Sequence, residues 1–94
     1  MTKMYIDYEW SVEVPILKED GSYLKKQELE VLNIDVTLQK MINLWSFAIQ
    51  NAFNWHNPDD NNNYLPDYYY SFINRLEDEI IGKLKDFDIE LVKK

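Results

Sequence analysis

The chain has 94 residues, of which 46% are hydrophobic and 15% aromatic, enough apolar mass for one modest core and too much for wholesale disorder. It contains no cysteine, which excludes disulfides, thiolate metal sites and thiol nucleophiles. Acids outnumber bases 17 to 10 and the net charge is −7, so direct nucleic-acid binding, which needs clustered Lys and Arg, is disfavoured.

The first element is a strand. From Met4 to Val14 the chain alternates: Met4, Ile6, Tyr8, Trp10, Val12 and Val14 share one face, while Tyr5, Asp7, Glu9, Ser11 and Glu13 share the other. Pro15 lacks a ladder donor and belongs at the strand's end or on an edge. Asp20-Gly21 then marks a hairpin turn, since glycine accepts the positive φ such turns demand. The return strand is predicted over Gln27 to Ile34, where Leu29 and Val31 alternate with Glu28 and Glu30. Its parity shifts at Leu32, which calls for a bulge or an early end.

A first helix follows, capped by Asp35 or Thr37, with Leu38, Met41, Ile42, Trp45, Ala48, Ile49, Ala52 and Phe53 forming one apolar stripe. Asn54 to Leu65 is dense in turn formers and reads as a loop. Pro66 suits the first turn of a second helix, whose stripe is Tyr69, Phe72, Ile73, Leu76, Ile80, Leu84 and Phe87. Arg75, Glu79 and Lys83 stand four apart on its outer side. Phe87 to Val92 alternates again and predicts a short final strand. The expectation is one α+β domain over residues 1–94, with strands and helices in the order β-β-α-α-β. A small three-stranded antiparallel or mixed sheet carries two helices on one face.

Reaction chemistry finds little purchase. His56 is the only histidine, which leaves neither a Ser-His-Asp triad nor a metal site with several nitrogen ligands. Counting Asp59 as the first position of a calcium loop, Asn61 and Asn63 fall at the third and fifth. Tyr64 then replaces the glycine and Tyr70 the bidentate glutamate, so calcium is not expected. With only Gly21 and Gly82 there is no phosphate-cradling loop. Carboxylates abound, but none stands in an apolar stretch that would raise its pKa for acid catalysis. No enzyme, cofactor or metal is expected.

Three features point instead to a binding surface. If all strands share a sheet, Asp7, Glu9, Glu13, Glu28, Glu30, Asp88 and Glu90 form an acidic outer plate facing a basic partner. Phe47 lies nearly opposite the core stripe of the first helix, flanked by Leu44 and Trp55, among Asn and Gln and the single charge of Lys40. Tyr68 and Tyr70 cannot enter the core together with Tyr69, because consecutive helical residues diverge by about 100°.

The partner-binding set is therefore Asp7, Glu9, Glu13, Glu28, Glu30, Phe47, Trp55, Tyr68 and Tyr70. Small size, acidity and surface aromatics are the general character of toxin-immunity proteins and of phage-encoded inhibitors of defence enzymes. The expected function is a non-catalytic inhibitor or neutraliser of a protein with a basic surface, such as a nucleic-acid-handling enzyme, by steric and electrostatic occlusion. A self-associating assembly subunit using the first helix is the first rival, and a carboxylate-pair hydrolase the second. No apolar run approaches the ~20 residues of a membrane span. Met1 to Trp10 carries Asp7 and Glu9 and is not a signal peptide, so a cytoplasmic location is expected.

Overall fold

A computed structural model describes residues 2–9, 11–55 and 67–93, the side chains of 53–55 excepted. Its sheet has three strands: β1 (Thr2–Ile6) in the centre, β2 (Ile16–Leu17) antiparallel on one side and β3 (Ile89–Lys93) parallel on the other. A parallel neighbour demands a long crossover, and the two helices supply it. They are α1 (Val36–Trp55) and α2 (Asp67–Leu84). The architecture is α+β with a mixed sheet, as the pattern of elements predicts.

β1 keeps the expected parity. Met4 and Ile6 point into the core beside Ile16, Ile89 and Leu91, and Lys3, Tyr5, Glu90 and Val92 alternate with them. The helices close that core with Leu38, Ile42, Trp45, Ala48 and Ile49 from α1 and Ile73, Ile80 and Leu84 from α2. α2 runs against both β3 and α1. Asp35 caps α1, its Oδ1 accepting the Leu38 N–H at 2.7 Å. The helix continues through Asn54 and Trp55, two residues into the predicted loop. The rest of that loop, with His56 and the tested calcium positions 59–64, lies outside the described residues, as does Pro66.

Two predicted strands are corrected. The first ends at Ile6, although the sequence alternates on to Val14. Its partner closes early: Ile6 pairs with Ile16, and the Asp7 N–H donates to the Pro15 carbonyl at 3.0 Å. Beyond that point the chain leaves the sheet, and Ser11 adopts a left-handed φ of 68° that no strand holds. The return strand over Gln27 to Ile34 is absent. Lys26–Val31 is a 3-10 helix, begun where Glu28 Oε1 accepts the Lys25 N–H at 3.0 Å. Its repeat of three puts Leu29 and Leu32 on the inner side and leaves Val31 78% exposed, which accounts for the parity shift without a bulge.

The Asp20-Gly21 turn is present, and it links β2 to a bridge between Leu17 and Tyr23. Gly21 has φ +87°, and Asp20 Oδ1 accepts both the Ser22 N–H at 2.9 Å and the Ser22 hydroxyl at 2.6 Å. The last strand begins two residues later than predicted, because Lys85–Phe87 forms a 3-10 turn and Asp88 is left-handed at φ 62°. Among the described residues no helix is long and apolar enough to cross a membrane.

Candidate functional site

The acidic plate does not form. Of its seven members only Glu90 lies on a strand, and the register sets it opposite Lys3, whose ammonium sits over the Tyr5 ring at 5.6 Å. Asp7 stands just past β1 and accepts the Tyr23 hydroxyl at 2.9 Å. Glu9 and Glu13 lie on the connection to β2, Glu13 accepting the Lys26 N–H at 2.8 Å. Glu28 and Glu30 belong to the 3-10 helix. The Lys18 ammonium 2.8 Å from Glu28 holds that carboxyl below its ordinary range. Asp88 occupies the left-handed turn before β3. The plate fails because it requires two long strands, and both are short or absent.

The outer side of α1 is as the helical spacing predicts. Phe47 is 70% exposed, and Val36 and Leu44 are exposed on the same side of the helix. Beside Phe47 a groove of about 270 Å³ is walled by Val12, Glu13, Lys26, Asn43, Ser46 and Gln50. Gln50 fixes the far wall: its Oε1 accepts the Ser11 N–H at 3.1 Å and its Nε2 donates to the Glu9 carbonyl at 2.9 Å. Trp55 continues this helix, with a side chain outside the described residues.

At the start of α2, Tyr68 and Tyr70 are exposed. Tyr69 turns inward as predicted, donating its hydroxyl to the Ala48 carbonyl at 2.8 Å and accepting Asn51 Nδ2 at 3.2 Å. Phe72 departs from the predicted stripe and is 44% exposed. At about 100° per residue it lies at the stripe's margin, whereas Glu77 lies only about 40° from Ile73, inside it.

Glu77 is the residue that sequence reasoning missed. Its carboxylate is 3% exposed, a buried charge in the apolar stretch where none was expected. The signal was the series Ile73, Glu77, Ile80, Leu84, spaced i, i+4, i+7, i+11. The charge is compensated. The Tyr8 hydroxyl donates to Oε1, and Lys93 Nζ stands 3.4 Å from Oε2 and 3.3 Å from Asp78 Oδ1. Tyr8, Glu77 and Lys93 line a cleft of about 390 Å³, with Ile6 and Asp7. Partial burial, followed by the hydrogen bond and charge of Glu77, pushes the Tyr8 phenol above its ordinary value of 10.0. Asp78 and then Glu77 hold the Lys93 ammonium above its own. Such a phenol keeps its proton at neutral pH, so Tyr8 serves as a donor and not as a base. Its ring lies against Trp45 with centroids 6.5 Å apart, and the Trp45 indole N–H is buried without an acceptor.

Among the described residues no group of three or more His, Cys, Asp or Glu side chains could hold a metal ion. Compared with known proteins, the chain matches no family model, no curated protein and no solved structure.

Proposed function

We propose that the protein is a non-catalytic binding module that inhibits or neutralises a protein with a basic surface, such as a nucleic-acid-handling enzyme, by occluding that surface. The observation that carries this reading is the outer side of α1, where Phe47, Leu44 and Val36 are exposed on a helix whose one charged residue is Lys40. Aromatic and aliphatic side chains amid uncharged amides have the composition of an interface centre, cheap to desolvate and able to anchor a partner. The net charge of −7 supplies the long-range attraction. Without an acidic plate, that attraction steers the approach and the aromatics provide the hold. A phage inhibitor of bacterial defence or a toxin-immunity protein, working in the cytoplasm, is the setting this suits.

The test is a binding titration against the partner recovered from the native host. Association should slow as salt rises, and the Glu9→Lys/Glu30→Lys chain should associate more slowly still. Phe47→Ser should weaken the complex at least tenfold, on the order expected for an aromatic anchor. Binding indifferent both to salt and to Phe47→Ser sinks the reading.

The same exposed side chains favour a second reading, self-association through α1. Phe47→Glu would then convert an oligomer to a monomer in sedimentation. A wild type that is monomeric at high concentration removes this alternative.

A further inference from the structure

The cleft between β1's end and α2 has a graded interior. Glu77 lies at its floor, 3% exposed, while Lys93 lies at its open side, 57% exposed. Ile6 and the Tyr8 ring form walls between them. The Tyr8 hydroxyl occupies Glu77 Oε1 and fixes the carboxylate's orientation, leaving Oε2 turned towards the Lys93 ammonium. This chain therefore already carries one primary ammonium against that oxygen, on a side chain more than half in water. Lys93 keeps Asp78 as a second carboxylate at 3.3 Å, so an ammonium that takes its place on Glu77 strands neither the buried carboxylate nor Lys93. A lysine entering from outside would also lay its methylene stem along Ile6 and the Tyr8 ring, apolar contact that an ion in solution lacks.

We propose that the Tyr8–Glu77 cleft receives a lysine side chain of the basic partner, its ammonium replacing that of Lys93 on the Glu77 carboxylate. The inference rests on the reading of the protein as a binder of a basic surface, and it assigns the residue type that surface presents. It also gives Glu77 a use beyond stability: a carboxylate fixed by a phenol discriminates an inserted ammonium from diffuse positive charge. Lys93 acts as an internal stand-in that keeps Glu77 paired until the partner arrives.

The test uses n-butylammonium as the probe, titrated into isotopically labelled protein at constant ionic strength. Ile6 and Tyr8 resonances should shift saturably, and Lys93→Met should tighten binding about fivefold by removing the competing ammonium. In the Lys93→Met background, Glu77→Gln should abolish it. Nuclear Overhauser contacts between the butyl methylenes and Ile6 or Tyr8 in Lys93→Met place the probe without any change at Glu77, and decide the matter if the Glu77→Gln chain fails to fold. Equal affinity in wild type and Lys93→Met, retention of binding in Glu77→Gln, or lack of those contacts overturns the proposal. Amine binding alongside a partner complex indifferent to salt leaves the cleft standing and removes the basic-partner reading. A salt-sensitive complex with no amine binding does the reverse.

Discussion

The two helices break amphipathic order in opposite directions. α1 puts Phe47 outside, where a polar residue would cost nothing, and α2 puts Glu77 inside, where an apolar residue would pack. The comparison separates two kinds of departure. Phe47 leaves the fold's energetics almost untouched, because an exposed side chain gains little on folding. Glu77 enters the energetics directly, since a buried carboxylate without partners is costly, and the structure meets that cost with Tyr8 and Lys93. A misplaced apolar residue therefore points outward, to the surface. A misplaced charge points inward to a set of side chains arranged around it.

The comparison breaks most readily at Glu77. Glu77→Ala should destabilise the fold by about 2–3 kcal/mol, because it strands the Tyr8 hydroxyl and opens a void, whereas Glu77→Met fills the void and should cost less, about 1 kcal/mol for the stranded hydroxyl. Urea unfolding midpoints test this, and an alanine variant as stable as wild type would mean that the buried carboxylate is energetically idle.

Tyr8→Phe should cost about 1.5–2 kcal/mol at neutral pH through loss of one hydrogen bond to a charged acceptor. Its pH dependence has a definite sign. The folded state holds the Tyr8 proton more tightly than the unfolded chain, so this stability is complete below the unfolded value near 10.0 and is lost progressively above it, until the raised phenol of the folded state itself ionises. Lys93, Lys18 and Tyr23 are also raised and titrate in the same direction, so the readout is the gap between wild type and Tyr8→Phe. That gap should hold up to about pH 9.5 and narrow from about pH 10 upward, and a gap constant through that rise would show that the phenol's proton is not linked to folding. The smallest effect on the fold is expected at Phe47: Phe47→Ser should move stability by less than about 0.5 kcal/mol, and a larger loss would place Phe47 in the core's support and out of the interface.

Much of this was legible in the sequence where one period had no competitor. Met4 and Ile6, the Asp20-Gly21 turn, the Asp35 cap and the stripe from Leu38 to Ile49 all follow from local rules. Legibility failed where two periods fit the same letters. Glu28-Leu29-Glu30-Val31 alternates, yet Leu29 and Leu32 also satisfy a repeat of three, and tertiary burial chose the latter. The run from Asp7 to Val14 alternates through a segment that the Ile6–Ile16 pairing had already closed, an event set by a residue ten positions away. The α1 surface was readable because exposure on a helix follows angle alone. The Tyr8–Glu77–Lys93 cleft was not, because it joins residues from three remote stretches of the chain.

The pairing of β1 with β3 joins Thr2 to Ile89 and Ile6 to Lys93, so the central strand waits for residues more than 80 positions further along. Closing so wide a loop is entropically slow compared with forming either helix. During synthesis, Thr2–Ile6 can therefore hold only its short hairpin partner, and one edge of the nascent strand stays open until the far end of the chain has emerged to seal it.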